Sequence, residues 1–455
     1  MTFPLPVLTD FLRIPSVSSE PEFSGQCDQA RDFLVELFAS FGFSTQILPS
    51  ISHPAIFAQS PVSNPNLPTA LIYGHYDVQP PGAPSLWTTP AFEPTVRKGR
   101  IYARGASDNK GQIFIHLMAV KQLIDQFGLQ NLPVNFKFII EGEEEIGSPG
   151  VNSLVQKYPH LLKADYIFLS DTEMVAAGHP SIDVSLRGEV SVDVQLQTGS
   201  QDVHSGQFGG LAPNSAFILI RMLSTLKNGD GKITLPGFYQ NVVPLSPKEI
   251  RDFRHVEPKV ADILSDGRLL FLGSSTQGLS INQRRWSEPT MDITGLDSGY
   301  TGSGSKTIIP NVATAKISFR LVPNQDPNRI YRLLVNYIQK MAPKRATLRF
   351  FRHNPAPAYK APTTHPIYEL TRKVLGDTFD HPAVFTGQGG SIGFVPVLAR
   401  ALNAPAVLIG FGLPDDNCHA PNEFLPLENI EKGIAAMVKL YSNIDKLAKP
   451  NYNIS

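Results

Sequence analysis

Apolar positions along the chain fall into two kinds of pattern. Ala30, Phe33, Leu34, Leu37, Phe38 and Phe41 recur at helical spacing, and Gly42 stops that helix. Short apolar runs instead end abruptly in polar residues. Residues 69–73 lead into Gly74-His75-Tyr76-Asp77, residues 134–140 into Glu141-Gly142-Glu143-Glu144-Glu145, and residues 165–169 into Ser170-Asp171. Apolar helical segments, 113–127 and 151–158, lie between them. The pattern predicts alternating strands and helices, with polar residues at the carboxyl ends of the strands. In open α/β sheets that edge is where sites form.

The character changes near Ser181. Ile182, Val184 and Leu186 alternate with polar residues, as do Val190, Val192, Val194 and Leu196, which predicts half-buried strands. A helix over 214–227 follows. Residues 230–304, rich in Gly, Pro and Ser, read as irregular. A strand over 313–321, a helix over 327–341 and a strand over 347–352 complete an α+β unit, and Asn354-Pro355-Ala356-Pro357-Ala358 reads as a linker. The α/β pattern then resumes with a helix over 366–375, a strand over 404–410 and an amphipathic helix over 427–444. One domain is thus expected to be inserted into another, with boundaries at 1–180, 181–358 and 359–455.

Length agrees, since 455 residues exceed one ordinary core and make two domains the expectation. Lys and Arg number 40, as do Asp and Glu, so neither nucleic acid nor an anionic membrane is expected as the main partner. Residues 1–10 carry no basic region followed by an apolar core, and no run of about 18 apolar residues occurs. No signal peptide or transmembrane helix is therefore read. Cys27 and Cys418 are the only cysteines, which fits a reducing, cytoplasmic setting.

Candidate chemistry centres on the acidic stretch. Four carboxylates at the mouth of a buried strand repel one another and need protons or cations to compensate them. The bland alternative is a solvated acidic loop. His75 and Asp77 are two apart and face the same way on an extended segment, and a carboxylate beside an imidazole suits a metal-ligating His. Asp108, Glu145, Asp171 and His419 each sit just past a strand or in a Gly- or Pro-marked loop. Imidazole with carboxylate is zinc, manganese or cobalt chemistry. Each residue alone reads as readily as a cap, turn or core residue; the shared position at strand ends is what favours ligands. Cys418, next to His419, reads as a small buried hydrophobe.

His75-Tyr76-Asp77, Ser107-Asp108-Asn109-Lys110-Gly111, Glu144-Glu145-Ile146-Gly147-Ser148, Ser170-Asp171, His204-Ser205-Gly206 and His419-Ala420-Pro421-Asn422-Glu423 come in the order of the M20 metallopeptidases. The resemblance runs from about residue 10 to the C-terminus. Gly74-His75-Tyr76-Asp77-Val78-Gln79-Pro80 and the long middle insertion resemble the branch of carnosinase and the cytosolic nonspecific dipeptidases. A Cys-ligand branch is disfavoured, because Asp108 stands where that Cys is expected. The resemblance implies a fold of class α/β: a catalytic domain with a mixed sheet flanked by helices, interrupted by an inserted α+β lid and dimerisation domain. It implies two divalent metal ions per subunit, zinc first and manganese or cobalt as alternatives, bridged by Asp108. His75 and Asp171 would complete one site, Glu145 and His419 the other. Asp77 would orient His75, Glu144 would be the general base, and Asp108–Asn109 is a candidate cis peptide. Gln388 departs from the Glu usual in relatives before Gly389-Gly390-Ser391, as do Ala420 and Pro421 after the last His.

The chemistry of the residues is consistent with this. Two divalent cations against Asp108, Glu145 and Asp171 favour a bridging hydroxide over water. Glu144 can take a proton and pass it to a leaving amine. His204 is the candidate donor to an oxyanion, reaching across a homodimer; the alternative is a His that holds its own loop through Asp202. Arg320 could pair with a substrate carboxylate, helped by Thr307 and Ser391, or could be an ordinary strand arginine. The expected activity is hydrolysis of dipeptides. The alternatives are an N-acyl amino acid deacylase or desuccinylase on the same scaffold, and a metal-free binding relative.

Overall fold

The computed structural model describes residues 3–62, 64–273, 278–353 and 355–447. Asn354, the first residue of the expected linker, lies outside them. The chain forms two compact units. The first comprises Met1–Val184, Ala361–Thr386 and Ile392–Ser455; the second comprises Ser185–Lys360 and Gly387–Ser391.

The first unit is built on a mixed sheet. Its strands run in the order Ser44–Leu48, Ala55–Gln59, Asn135–Glu141, Thr69–His75, Tyr166–Leu169, Ala406–Leu408 and Ser181–Leu186. The four from Asn135–Glu141 to Ala406–Leu408 are mutually parallel, and the flanking pairs are antiparallel. Nearly every residue of the central strands is buried on both faces, which requires helices on each side. Helix Lys110–Phe127 is buried all round over its first three turns and packs against helix Leu427–Tyr441. Gly433 permits that approach, because a Cβ there would come within 3.0 Å of Ile115. Parallel register aligns the carboxyl ends of the strands, with His75 opposite Glu141.

In the second unit four antiparallel strands run in the order Thr290–Ser298, Val312–Leu321, Gly188–Gln197 and Thr347–Arg352. Alternation along Gly188–Gln197 sends Val190, Val192, Val194 and Leu196 into a core shared with helices Ser215–Ser224 and Pro327–Met341. Pro327 at the first helical position and the Asp326 side chain, which accepts from Asn328 N, start the second helix. A small ribbon pairs Val203–His204 with Ile308–Ile309.

The expectation of irregular chain over 230–304 is corrected. Helices Pro247–His255, Val260–Asp266 and Ile281–Trp286 and the strand Thr290–Ser298 lie there. Two capping boxes, Ser246 with Glu249 and Ser280 with Gln283, start the first and third helices. Those Ser-x-x-Glu and Ser-x-x-Gln spacings were readable, but the surrounding Gly, Pro and Ser masked them.

Candidate metal centre

His75 ends its strand, and Asp77 follows on extended chain. The His75 Nδ1 lies 3.0 Å from the Asp77 carbonyl oxygen and 3.3 Å from Asp77 Oδ1. The contact therefore comes from both the main chain and the carboxylate. The other carboxylate oxygen, Asp77 Oδ2, accepts from Ser18 Oγ at 2.7 Å and from Glu145 N at 3.1 Å. One buried Asp thus orients an imidazole and pins the turn that carries Glu144 and Glu145.

That turn is the short 3-10 segment Glu144–Ile146, ended by Gly147 at φ 83°, a value that favours glycine. The acidic stretch divides by direction. Glu141 accepts from Tyr73 Oη at 2.6 Å and Ser148 Oγ at 2.8 Å, and burial pushes its carboxyl up to about 8. Glu143 accepts from Ser50 Oγ at 2.6 Å, His53 N at 2.9 Å and Gly150 N at 3.2 Å. These two are compensated by protein donors. Glu144 and Glu145 alone remain with the cluster around His75, so half of the crowding expected from the sequence is resolved within the protein.

Asp108 lies in the loop before helix Lys110–Phe127, and the Asp108–Asn109 peptide is cis. Asp108 Oδ1 is 3.1 Å from His75 Nε2, which is also 3.5 Å from Asp171 Oδ1. Asp108 Oδ2 is 2.8 Å from His419 Nε2, which is also 3.2 Å from Glu145 Oε2. The two oxygens of one carboxylate thus face two different imidazole–carboxylate pairs. Gln79 Nε2 donates to Glu145 Oε2 at 2.8 Å, and Asn109 Nδ2 donates to Asp171 Oδ1 at 2.9 Å.

The loops are held by carboxylates that carry no ligand role. Glu423 Oε1 accepts from Ser107 N and Asp108 N at 2.8 and 3.0 Å, while Oε2 accepts from Arg104 Nη1 and Gly105 N at 2.7 and 3.0 Å. Asp416 accepts from Ser107 Oγ and from Cys418 N. Glu423 falls within a sequence motif, but nothing in the sequence marks a role for Glu423, Asp416, Gln79 or Asn109. His419 itself has φ 60°, left-handed backbone uncommon outside glycine, flanked by Asn417 and Asn422 in the same region.

Cys418 is exposed, which corrects its reading as a buried hydrophobe. Its Sγ lies 3.0 Å from Asp108 Oδ2, and with Asp108 and His419 it forms a second group whose ligand atoms lie within 4.8 Å of one another. The other such group is His75, Asp108 and Glu145.

The cluster fits divalent cations. His75 Nε2 and Glu145 Oε1 are buried with no hydrogen-bond partner, as the ligand atoms of a metal site would be. The donor set of imidazoles and carboxylates suits zinc or manganese. Charge in the metal-free cluster gives the same indication. Burial would lower the His75 pKa, but Asp171, Asp108 and Asp77 outweigh it and hold it well above the usual range. Hydrogen bonds to Asp108 and Glu145 push His419 up to about 10. Burial and the neighbouring carboxylates raise Glu144, Glu145 and Asp171. Without cations the cluster gathers protons.

The remaining expected site residues lie in the second unit. His204 is exposed at the start of a short helical turn, and its Nδ1 accepts from Gly206 N at 3.1 Å. That bond assigns the ring proton to Nε2, whose N–H has no partner among the described residues. Asp202 instead accepts from Asn311 N, so the local His204–Asp202 contact is not made. Thr307 is exposed, and its carbonyl accepts from Ser205 N, beside His204. Arg320 Nη1 donates to Ser391 Oγ at 2.9 Å and pairs with Glu189 Oε2 at 2.8 Å.

The chain is similar to known proteins over most of its length. The profile of peptidase family M20/M25/M40 matches residues 71–443. The Cys-Gly metallodipeptidase of Schizosaccharomyces pombe is 29% identical over 442 residues, covering 94% of this chain and 92% of that protein. The Beta-Ala-His dipeptidase of Homo sapiens is 29% identical over 423 residues, covering 90% and 82%. The crystal structure of the M20 family metallo-carboxypeptidase Sso-CP2 from Sulfolobus solfataricus superposes with a TM-score of 0.89 at 30% identity, covering 98% of this chain and 100% of that one.

Because metal ligation needs the imidazole lone pairs, binding must displace the protons that the metal-free cluster holds. Titrating metal-free protein with zinc near pH 7 is expected to release protons, read as a heat that scales with the ionisation enthalpy of the buffer. Affinity is expected to rise from pH 6 to pH 8. A heat independent of buffer would contradict the protonated metal-free site.

Proposed function

Because the chain belongs to peptidase family M20/M25/M40, we propose that it is a dinuclear metal-dependent dipeptidase. The observation that carries the reading is Asp108, whose two oxygens face separate imidazole–carboxylate pairs beside orphaned ligand atoms. His75 and Asp171 would hold one cation, Glu145 and His419 the other, and Asp108 would serve both. Zinc is the first expectation, with manganese or cobalt as alternatives. When bound, the cations polarise the scissile carbonyl and acidify water.

The protein's own residues do the rest. Asp77 fixes the ring of His75 and the turn bearing Glu145. Glu144, free of side-chain hydrogen bonds among the described residues, takes the proton of the attacking water and returns it to the leaving amine. His204 presents its Nε2–H to the oxyanion. Arg320, Ser391 and Thr307 receive the substrate carboxylate, and Arg320 then exchanges or shares its contact with Glu189.

Residues 181–358 act as lid and dimerisation domain. Thr290–Ser298 is an edge strand, and exposed Ile293 and Leu296 lie with Ile220 along an apolar groove, with exposed Phe217 on the same helix as Ile220. A second copy of the chain would cover these residues. Two free cysteines, and among the described residues no helix long and apolar enough to cross a membrane, agree with a cytoplasmic enzyme. Relatives named for Cys-Gly and β-Ala-His dipeptides support a dipeptide substrate over an N-acyl amino acid. The likeness to a metallo-carboxypeptidase supports a second reading, removal of the last residue from longer peptides. Turnover that rises with peptide length would favour it.

Two pairs of variants test the roles. Glu144→Gln keeps the shape but cannot accept a proton, so it is expected to retain metal while losing roughly 10²–10⁴ of kcat. Glu145→Gln is expected to lose metal affinity first. Elemental analysis beside kinetics separates them, and the reverse pattern would exchange the two assignments.

Mixing inactive His204→Ala with inactive Glu144→Gln under subunit exchange tests the trans role. One site of each mixed dimer then carries both groups, and activity is expected to return. Exchange demonstrated by a tag with no activity regained would rule that role out.

A further inference from the structure

The second unit contains a cavity of about 360 Å³ between the segment 227–239 and the chain from Ile263 to Asp292. Four cationic side chains line it, Arg187, Lys227, Arg284 and Arg285, against two carboxylates, Glu288 and Asp292. One carboxylate is partly committed, since Asp292 lies 3.8 Å from Lys227. Burial and the neighbouring charge of Arg320, with Arg285 adding to it, push the Arg187 guanidinium down to about 10. The Arg187 guanidinium is thus buried near other cations, while Arg285 and Asp292 at the rim are exposed. Like charges held close cost energy, as the crowded carboxylates do in the first unit.

The guanidinium donors are open. Arg187 spends Nε on the Gly389 carbonyl at 2.8 Å, its only side-chain hydrogen bond among the described residues. Arg284 gives Nη2 to the Gly273 carbonyl at 3.2 Å. The Arg285 side chain makes no hydrogen bond or ion pair among the described residues and is exposed. Ile263, Leu272 and Ile281 supply an apolar wall beside these donors.

The geometry points to an anion-binding pocket in the second unit that takes a phosphate group, free or carried on a small molecule with an apolar body. Two positive charges remain after the carboxylates are counted, which matches a phosphate monoester, of charge about −1.5 to −2 near pH 7. The planar guanidinium fork suits phosphate oxygens bidentately. The apolar wall would take the rest of a phosphorylated molecule. Arg320, Ser391 and Thr307, proposed for the substrate carboxylate, are not in this lining, although the Arg320 charge acts on Arg187.

Calorimetric titration of the full-length, metal-loaded protein with phenyl phosphate and with inorganic phosphate, at fixed ionic strength, tests it. Because phosphate also has affinity for metal ions, the decisive comparison is with variants of the pocket. Wild type is expected to show a binding event that Arg285→Gln weakens by about tenfold or more, and that Arg187→Gln weakens as well. Arg285 is exposed, so its variant keeps the test open if Arg187→Gln does not fold. Tighter binding of phenyl phosphate assigns the pocket to phosphorylated molecules; equal affinity assigns it to free phosphate. Unchanged affinity in Arg285→Gln, or no binding in wild type, overturns the proposal.

Discussion

Charge crowding around a buried imidazole is the constraint on which the first unit is built. Asp77, Asp108, Glu144, Glu145 and Asp171 surround His75, which is 0% exposed. Carboxylates in so dry a place repel one another, and only positive charge or donated protons make the arrangement tenable. The fold supplies rigid carriers for them. Parallel strands deliver His75 and Asp171 at their carboxyl ends, and the turn after Glu141 delivers Glu144 and Glu145. Loops deliver Asp108 and His419, and those loops are the hardest part to hold. Glu423 and Asp416, deeper in the protein, fasten them together through main-chain N–H groups and Arg104. Removing the Glu423 carboxylate would leave Arg104 buried and unpaired as well as freeing the Asp108 loop.

What the sequence shows of this site is its candidate ligands. His75, Asp108, Glu145, Asp171 and His419 stand just past strands or in Gly- or Pro-marked loops and in the order of the M20 motifs, and the structure brings all five together. What it hides is direction. Nothing in Glu141-Gly142-Glu143-Glu144-Glu145 says that the first and third residues turn toward Tyr73 and Ser50, because those partners are brought in by strands far along the chain. Asp416 and Glu423 likewise look like loop acids until Ser107, whose hydroxyl donates to Asp416 and whose N–H donates to Glu423, folds beside them from some 300 residues earlier. Residue type alone points to burial for Cys418, and loop geometry sets its exposure instead. The long helices and strands followed their periodicity closely, as with Pro327–Met341 and Thr347–Arg352. The helices of 247–286 did not, because their short lengths carry little periodic signal and their caps are their clearest mark.

The two units also treat charge in opposite ways, which an even balance of 40 basic and 40 acidic residues conceals. Acidic groups concentrate at the strand ends of the first. In the second, Arg320 on a strand is held by Glu189 and Ser391, while Arg187, just before a strand, and Arg285, on a helix, line a cavity with few counter-charges. In each case the chain keeps like charges close without its own full compensation, and in each case that imbalance is the physical reason to expect a ligand of opposite sign.

The central claim is that Asp108 would bridge two cations. Electron paramagnetic resonance of the metal-free protein titrated with manganese measures this directly. Two ions held by one carboxylate, about 3.5–4 Å apart as in other two-metal sites, are expected to bind two per chain and give an exchange-coupled spectrum. Saturation at one ion per chain, or only the six-line signal of isolated manganese at full loading, would contradict the account.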